Sequence, residues 1–169
     1  MVLKRAIWFL RLVVLAIVAI VLFMLIGLAP EIWQESTAAA SLAREWSPLL
    51  GFGNIFLMVG IFGGLIPFLL GARETFALLR LIEQKKSFSM MAVHTLGRIK
   101  VCAFAVCILY MAGVLPMAYT VAQLADGPGL ILIAFVIGLS PVVFAVLAMI
   151  LETVLQEAIA MKAENELTI

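Results

Sequence analysis

The stretch Arg73–Lys100, RETFALLRLIEQKKSFSMMAVHTLGRIK, decides how the rest of the chain is read. It holds six of the eleven basic residues, Arg73, Arg80, Lys85, Lys86, Arg98 and Lys100, against only Glu74 and Glu83. Apolar blocks long enough to cross a bilayer lie on both sides of it. A polar, basic connection between two such blocks is the mark of a cytoplasmic loop between transmembrane helices, because positive residues are retained on the inner side.

Working outward, four apolar runs of spanning length fit the chain, near residues 10–29, 49–72, 101–124 and 129–151. About 20 residues of helix are needed for ~30 Å of hydrocarbon. The 169 residues are 66% hydrophobic with mean hydropathy +1.24, and only 12% are charged. A soluble domain carries roughly a quarter. The expected fold is therefore all-α: an integral membrane four-helix bundle forming one domain over 1–169, with cytoplasmic helical extensions. The hairpin would occupy 73–100 and the tail 152–169. Ten basic residues (Lys4, Arg5, Arg11, the six of the hairpin and Lys162) fall on one side of this arrangement, and only Arg44 on the other. That asymmetry predicts a plasma-membrane protein with both termini and the hairpin in the cytoplasm.

Residues 1–29 share the charge order of a signal peptide, and Ala38-Ala39-Ala40 offers a cleavage-like pattern. The run from Leu12 to Ala29 is nevertheless longer than the ~7–15-residue core of such a peptide. It reads as a retained first helix. Pro30 to Pro48 reads as an acidic outer loop, with Ser36 or Thr37 capping a short helix and Trp33 and Trp46 at headgroup level. In the second span Gly60 and Gly64 form a GxxxG pair, which lets another helix backbone approach closely. Packing within the chain is the plain reading, and a homo-oligomer contact the sharper one. Asn54 is the one strongly polar group in this span and suits an interhelical hydrogen bond. Pro67, Pro116 and Pro141 are kink signals.

In the hairpin, Phe76, Leu79 and Ile82 keep an apolar stripe while Arg80 and Glu83 face out. Ser89 is placed to cap a helix beginning at Met90, with Met91, Val93, Leu96 and Ile99 inward and Phe88 tucked in at the tip. Asp126-Gly127-Pro128-Gly129 is a tight outer turn. Past the fourth span, Leu151, Leu155, Ala158 and Ile159 continue a stripe opposite Glu152, Gln156 and Lys162, expected to pack on the Phe76–Ile82 stripe as a short stem.

Three stretches in order carry a family likeness: Phe88-Ser89 with Ile99-Lys100-Val101-Cys102-Ala103, the turn Asp126-Gly127-Pro128-Gly129, and the tail Glu164-Asn165-Glu166-Leu167-Thr168-Ile169. Together they resemble the bacterial membrane proteins called domain of unknown function 2975, over roughly residues 54–169. Members more often carry aspartate where Glu166 stands, a conservative change. The resemblance implies a bacterial membrane location. It also implies a context, since genes of this kind commonly lie beside one for a small helix-turn-helix regulator.

The chemistry on offer is sparse. Catalysis needs convergent acids, bases or nucleophiles, and the spans hold no ionisable residue at mid-depth, so no enzyme is expected. Cys102 and Cys107 are about 140° apart on one helix and form no CxxC pair; with His94 the single histidine, neither a metal site nor a cofactor is expected. Proton or ion pathways are marked by buried ionisable groups, and none is evident. Binding or transport of a small hydrophobic molecule between the kinked helices remains the alternative. The preferred reading is a regulatory or interaction partner, besides the bilayer itself, of a cytoplasmic DNA-binding regulator. Its contact residues would be Arg98 and Lys100 on the hairpin and Glu164, Asn165, Glu166, Leu167, Thr168 and Ile169 in the tail. Direct nucleic-acid binding is not expected, because lipid phosphates would occupy the same basic groups.

Overall fold

The computed structural model describes residues 2–44, 52–84, 88–124, 127 and 129–167. They form four helices: α1 (Val2–Arg44), α2 (Gly53–Glu83), α3 (Met90–Leu124) and α4 (Gly129–Leu167). Each contains a segment long and apolar enough to cross a membrane. Successive helices run antiparallel, so the start of α1, the α2–α3 connection and the end of α4 share one end of the molecule. Arg5, Arg11, Arg73, Arg80, Arg98, Lys100 and Lys162 lie toward that end, hereafter the basic end.

Helix α1 is longer than the sequence suggested. Its 43 residues, about 64 Å at 1.5 Å per residue, run through Pro30 to Arg44 without a break. The acidic segment from Pro30 to Arg44 is therefore helix and not loop. The hydroxyls expected to cap a new helix are used inside this one: Ser36 Oγ donates to Trp33 O at 3.1 Å, Thr37 Oγ1 to Gln34 O at 2.8 Å and Ser41 Oγ to Ala38 O at 2.7 Å. Satisfied in this way, they impose no helix end. Trp46 and Pro48 lie outside the described residues, as do Lys85, Lys86, Asp126 and Pro128.

Proline is accommodated inside all four helices. In α4 the reason is visible. Pro141 has no N–H to give Ile137 O, its partner four residues back; Ser140 Oγ donates to that same carbonyl at 2.8 Å. The side chain next to the proline thus satisfies the acceptor the proline leaves open. At the start of α3, Ser89 Oγ accepts from Ala92 N–H at 3.4 Å, and its carbonyl accepts from the N–H groups of Ala92 and Val93, the expected N-cap. At the other end Gly127 N–H donates to Ala122 O at 3.1 Å, the long backward bond that closes helix C-termini.

Helix α3 is the hub, packing on α1, α2 and α4. Helix α1 also packs on α2. Among the described residues α4 packs on α3, and no Cα of α4 comes within 8 Å of one in α1 or α2. The bundle is thus open and not a closed ring of four. Lipid tails are as apolar as leucine, so nothing drives two apolar helix faces together unless their shapes fit. This corrects the expected stem: the end of α4 does not pack on the Phe76–Ile82 stripe of α2.

The α3–α4 seam is made of small residues. Ala134, Gly138, Ala145 and Ala148 are buried along α4 at spacings of four, seven and three. Glu152 falls four residues further along the same face. Leu151, expected inward, is exposed, and Glu152, expected outward, is the residue that faces α3. The helical period simply continues past the apolar span. Near the start of α3 the buried positions are Ala92, Val93, Thr95 and Leu96, while Met91 and Phe88 are exposed. Phe88 is therefore not tucked in.

Candidate functional site

Two places bring together residues of different helices with groups that could matter chemically or sterically. The first is the crossing of α2 and α3. A Cβ on Gly60 would lie 2.6 Å from Gly113 Cα and 2.8 Å from Leu109 O; one on Gly113 would lie 2.5 Å from Phe56 O. The two backbones touch, which only glycine on both sides permits. Gly64 behaves differently, since a Cβ there would meet nothing within 4 Å. The close contact expected of the Gly60–Gly64 pair thus belongs to Gly60 with Gly113, one glycine from each helix. The Gly60 face is occupied within the chain. The side chain of Asn54 lies outside the described residues.

The second place is at the basic end, where the apolar spans give way to polar helix. Three ion pairs join neighbouring helices there. Arg11 of α1 meets Glu83 of α2 at 2.7 Å, Arg98 of α3 meets Glu74 of α2 at 3.4 Å, and Lys100 of α3 meets Glu152 of α4 at 2.6 Å. The Lys100–Glu152 pair is the tightest and about three-quarters shielded on both sides. Its geometry depends on Gly97, one turn before Lys100. A Cβ on Gly97 would stand 3.2 Å from Glu152 Oε1, so the missing side chain makes the notch in which the carboxylate lies against α3.

Because α2 and α4 flank α3 without meeting, an open cleft of about 410 Å³ lies between them at this level. Its floor is α3 at His94, Gly97, Arg98 and Val101, and Glu74 and Glu152 stand on its walls. Among the described residues no three His, Cys, Asp or Glu side chains are grouped as metal ligands.

The residues expected to bind a partner are thus distributed unevenly. Arg98 and Lys100 sit one turn into the polar part of α3, but they are paired with Glu74 and Glu152, acids of the neighbouring helices. Helix α4 reaches Leu167, with Glu164 exposed; the side chains of Asn165, Glu166 and Leu167, and all of Thr168 and Ile169, lie outside the described residues. Sequence reading missed Glu74, Gly97 and Glu152 as members of one cluster. Glu152 carried a signal, its spacing from Ala145 and Ala148. Glu74 and Gly97 carried none, because their neighbours are set by the packing of other helices.

The family model described as protein of unknown function (DUF2975) matches residues 33–169. The chain belongs to this family. The match starts in the last third of α1, earlier than the roughly 54–169 over which the sequence motifs carry the resemblance. The chain is also similar to a Bacillus subtilis (strain 168) protein described as uncharacterized membrane protein YoaS. The two are 34% identical over 161 residues, covering 95% of this chain and 96% of that one. No solved structure matches. With four apolar helices of spanning length, this DUF2975 member is a multi-helix membrane protein.

Proposed function

We propose that this protein sits in the bacterial plasma membrane with both termini and the α2–α3 connection in the cytoplasm. There it acts, without catalysis, as the membrane-embedded interaction partner of a soluble helix-turn-helix regulator. The orientation rests on the ten-to-one distribution of basic residues between the two ends.

The observation that carries the interaction reading is the length and isolation of α4. Its 39 residues extend for about 58 Å, far more than the ~30 Å of hydrocarbon. The antiparallel register is marked by Gly138 against Tyr110 and Met111, and by Glu152 against Gly97. Followed along α4, it sets Ile159 level with the start of α3 at Met90. The last two turns of α4 then reach past the α3 helix, and Met161 is exposed. A polar helix end held on one side only is a surface offered to something outside the chain. The regulator as partner comes from the family resemblance. A hydrophobic ligand inside the bundle has less support, because the cleft opens on the outside between α2 and α4.

Recruitment from membranes tests the proposal. Tagged full-length protein should retain the soluble regulator encoded beside it, and a chain ending at Ala163 should lose it while inserting normally. Equal retention by both chains would place the contact elsewhere.

A further inference from the structure

The cleft between α2 and α4 has two chemistries stacked on one helix face. At the polar boundary stand His94 and Arg98, both exposed, with Glu152 beside them. Directly below on α3, Val101, Phe104 and Ile108 are exposed in a stripe that runs toward the middle of the span. A water-soluble ion would use the polar groups and leave the stripe uncovered. Bulk acyl chains would cover the stripe and ignore the polar groups. A single molecule that uses both is a phospholipid, with its headgroup in the cleft at the polar boundary and a chain along the stripe.

The charges narrow the headgroup. Arg98 is 71% exposed and its contact with Glu74 is 3.4 Å, longer than a tight charge-assisted bond of about 2.7–2.9 Å. A guanidinium has five donors, so Arg98 can hold a phosphate and keep this loose partner. Across the notch, Glu152 Oε2 is taken by Lys100, whereas Oε1 lies over Gly97 at the cleft. Glu74 and Glu152 flank the cleft with Arg98, and Lys100 lies behind Glu152, so two acids and two bases meet there. A purely anionic headgroup would meet as much repulsion as attraction. One that carries a hydrogen-bonding ammonium beside its phosphate would satisfy both signs.

We propose that this cleft binds one phosphatidylethanolamine, its phosphate on Arg98 and His94 and its ammonium at Glu152. The site goes beyond the partner reading above and is independent of which side of the membrane the basic end faces. Gly97 lets the Glu152 carboxylate lie against α3 at the edge of the cleft, where it can meet the ammonium. Choline is a poorer fit because its quaternary nitrogen has no proton to donate to the carboxylate.

The purified full chain, presented with equal amounts of phosphatidylethanolamine, phosphatidylglycerol and phosphatidylcholine of identical acyl chains, tests the site by native mass spectrometry. One phosphatidylethanolamine should be retained about tenfold over either competitor. Arg98→Ala should lower retention of phosphatidylethanolamine at least fivefold, and Glu152→Gln should bring its ratio to phosphatidylglycerol near one. Val101→Trp fills the stripe without touching an ion pair; it should lower retention fivefold while leaving the melting temperature unchanged. Soluble phosphoethanolamine at equal concentration should displace nothing. Equal retention of all three lipids, a preference for phosphatidylglycerol, or displacement by the soluble headgroup would each overturn the proposal. So would retention undiminished in Val101→Trp, the deciding variant if Glu152→Gln fails to fold.

Discussion

The two seams of α3 are built on opposite principles. Against α2 the contact is backbone on backbone, Gly60 on Gly113, with nothing that can move out of the way. Against α4 the contact is side chain on small residue: Tyr110 and Met111 lean over Gly138, and Lys100 grips Glu152 above Gly97. The first seam is fixed by shape. The second combines a shallow apolar fit with a polar clasp at one end. In a medium that supplies no hydrophobic drive between helices, the first seam has no give, whereas the second depends in part on one ion pair that a single substitution removes. That matters here because α4 packs on no other helix of the described chain and carries the proposed partner surface.

The largest effect should come from adding one methyl at the fixed seam. In Gly60→Ala the new Cβ would sit 2.6 Å from Gly113 Cα, so the helices must part. Melting in detergent should show a loss near the top of the ~1–3 kcal/mol range for overpacking. Next comes the clasp. Lys100→Met leaves a shielded carboxylate without its partner, and such orphaned groups cost about 1–3 kcal/mol. The loss should be accompanied by faster proteolysis of α4, with α2 and α3 still protected. Gly138→Ala should cost about 1 kcal/mol, because the atoms it meets are the flexible Met111 Cε and a ring edge of Tyr110. The smallest effect is at Gly64. Gly64→Ala has open space and gains the ~0.5–1 kcal/mol of helix propensity that glycine forgoes. If Gly60→Ala and Gly64→Ala behave alike, the contrast between the two positions is wrong.

What could be read from the sequence follows the same division. Span number, the Ser89 cap and the charge asymmetry are local properties of one segment, and they were legible. The Gly60–Gly64 pair announced a close contact but not its partner, since Gly113 is defined only by how α3 is rotated. The segment from Pro30 to Arg44 looked like loop because a proline and an acidic stretch follow an apolar run already long enough to span; its hydroxyls and alanines let the helix continue. Glu152 was misplaced because a charge after an apolar run was assumed to face water. Its position on the Ala145–Ala148 face decided otherwise. Arg98 and Lys100 were legible as basic groups at the polar boundary, but their acids come from α2 and α4, which no single segment reveals.

Both the cleft and the independence of α4 follow from α2 and α4 flanking α3 without close approach. Counting free thiols after mild oxidation of membranes tests this directly. Gly71→Cys places a new Cβ about 3.3 Å from the Cβ of native Cys102, close to disulfide spacing; that pair should lose both thiols to maleimide labelling. In a chain whose native cysteines are replaced by serine, Glu74→Cys with Glu152→Cys puts one thiol on each wall of the cleft. No residues of α2 and α4 approach within 8 Å between Cα atoms among those described, beyond the ~7 Å that a disulfide can bridge. Both thiols should therefore remain free while the Gly71–Cys102 pair closes. A direct disulfide between positions 74 and 152, under conditions that leave 71 and 102 unlinked, would contradict the arrangement and remove the cleft.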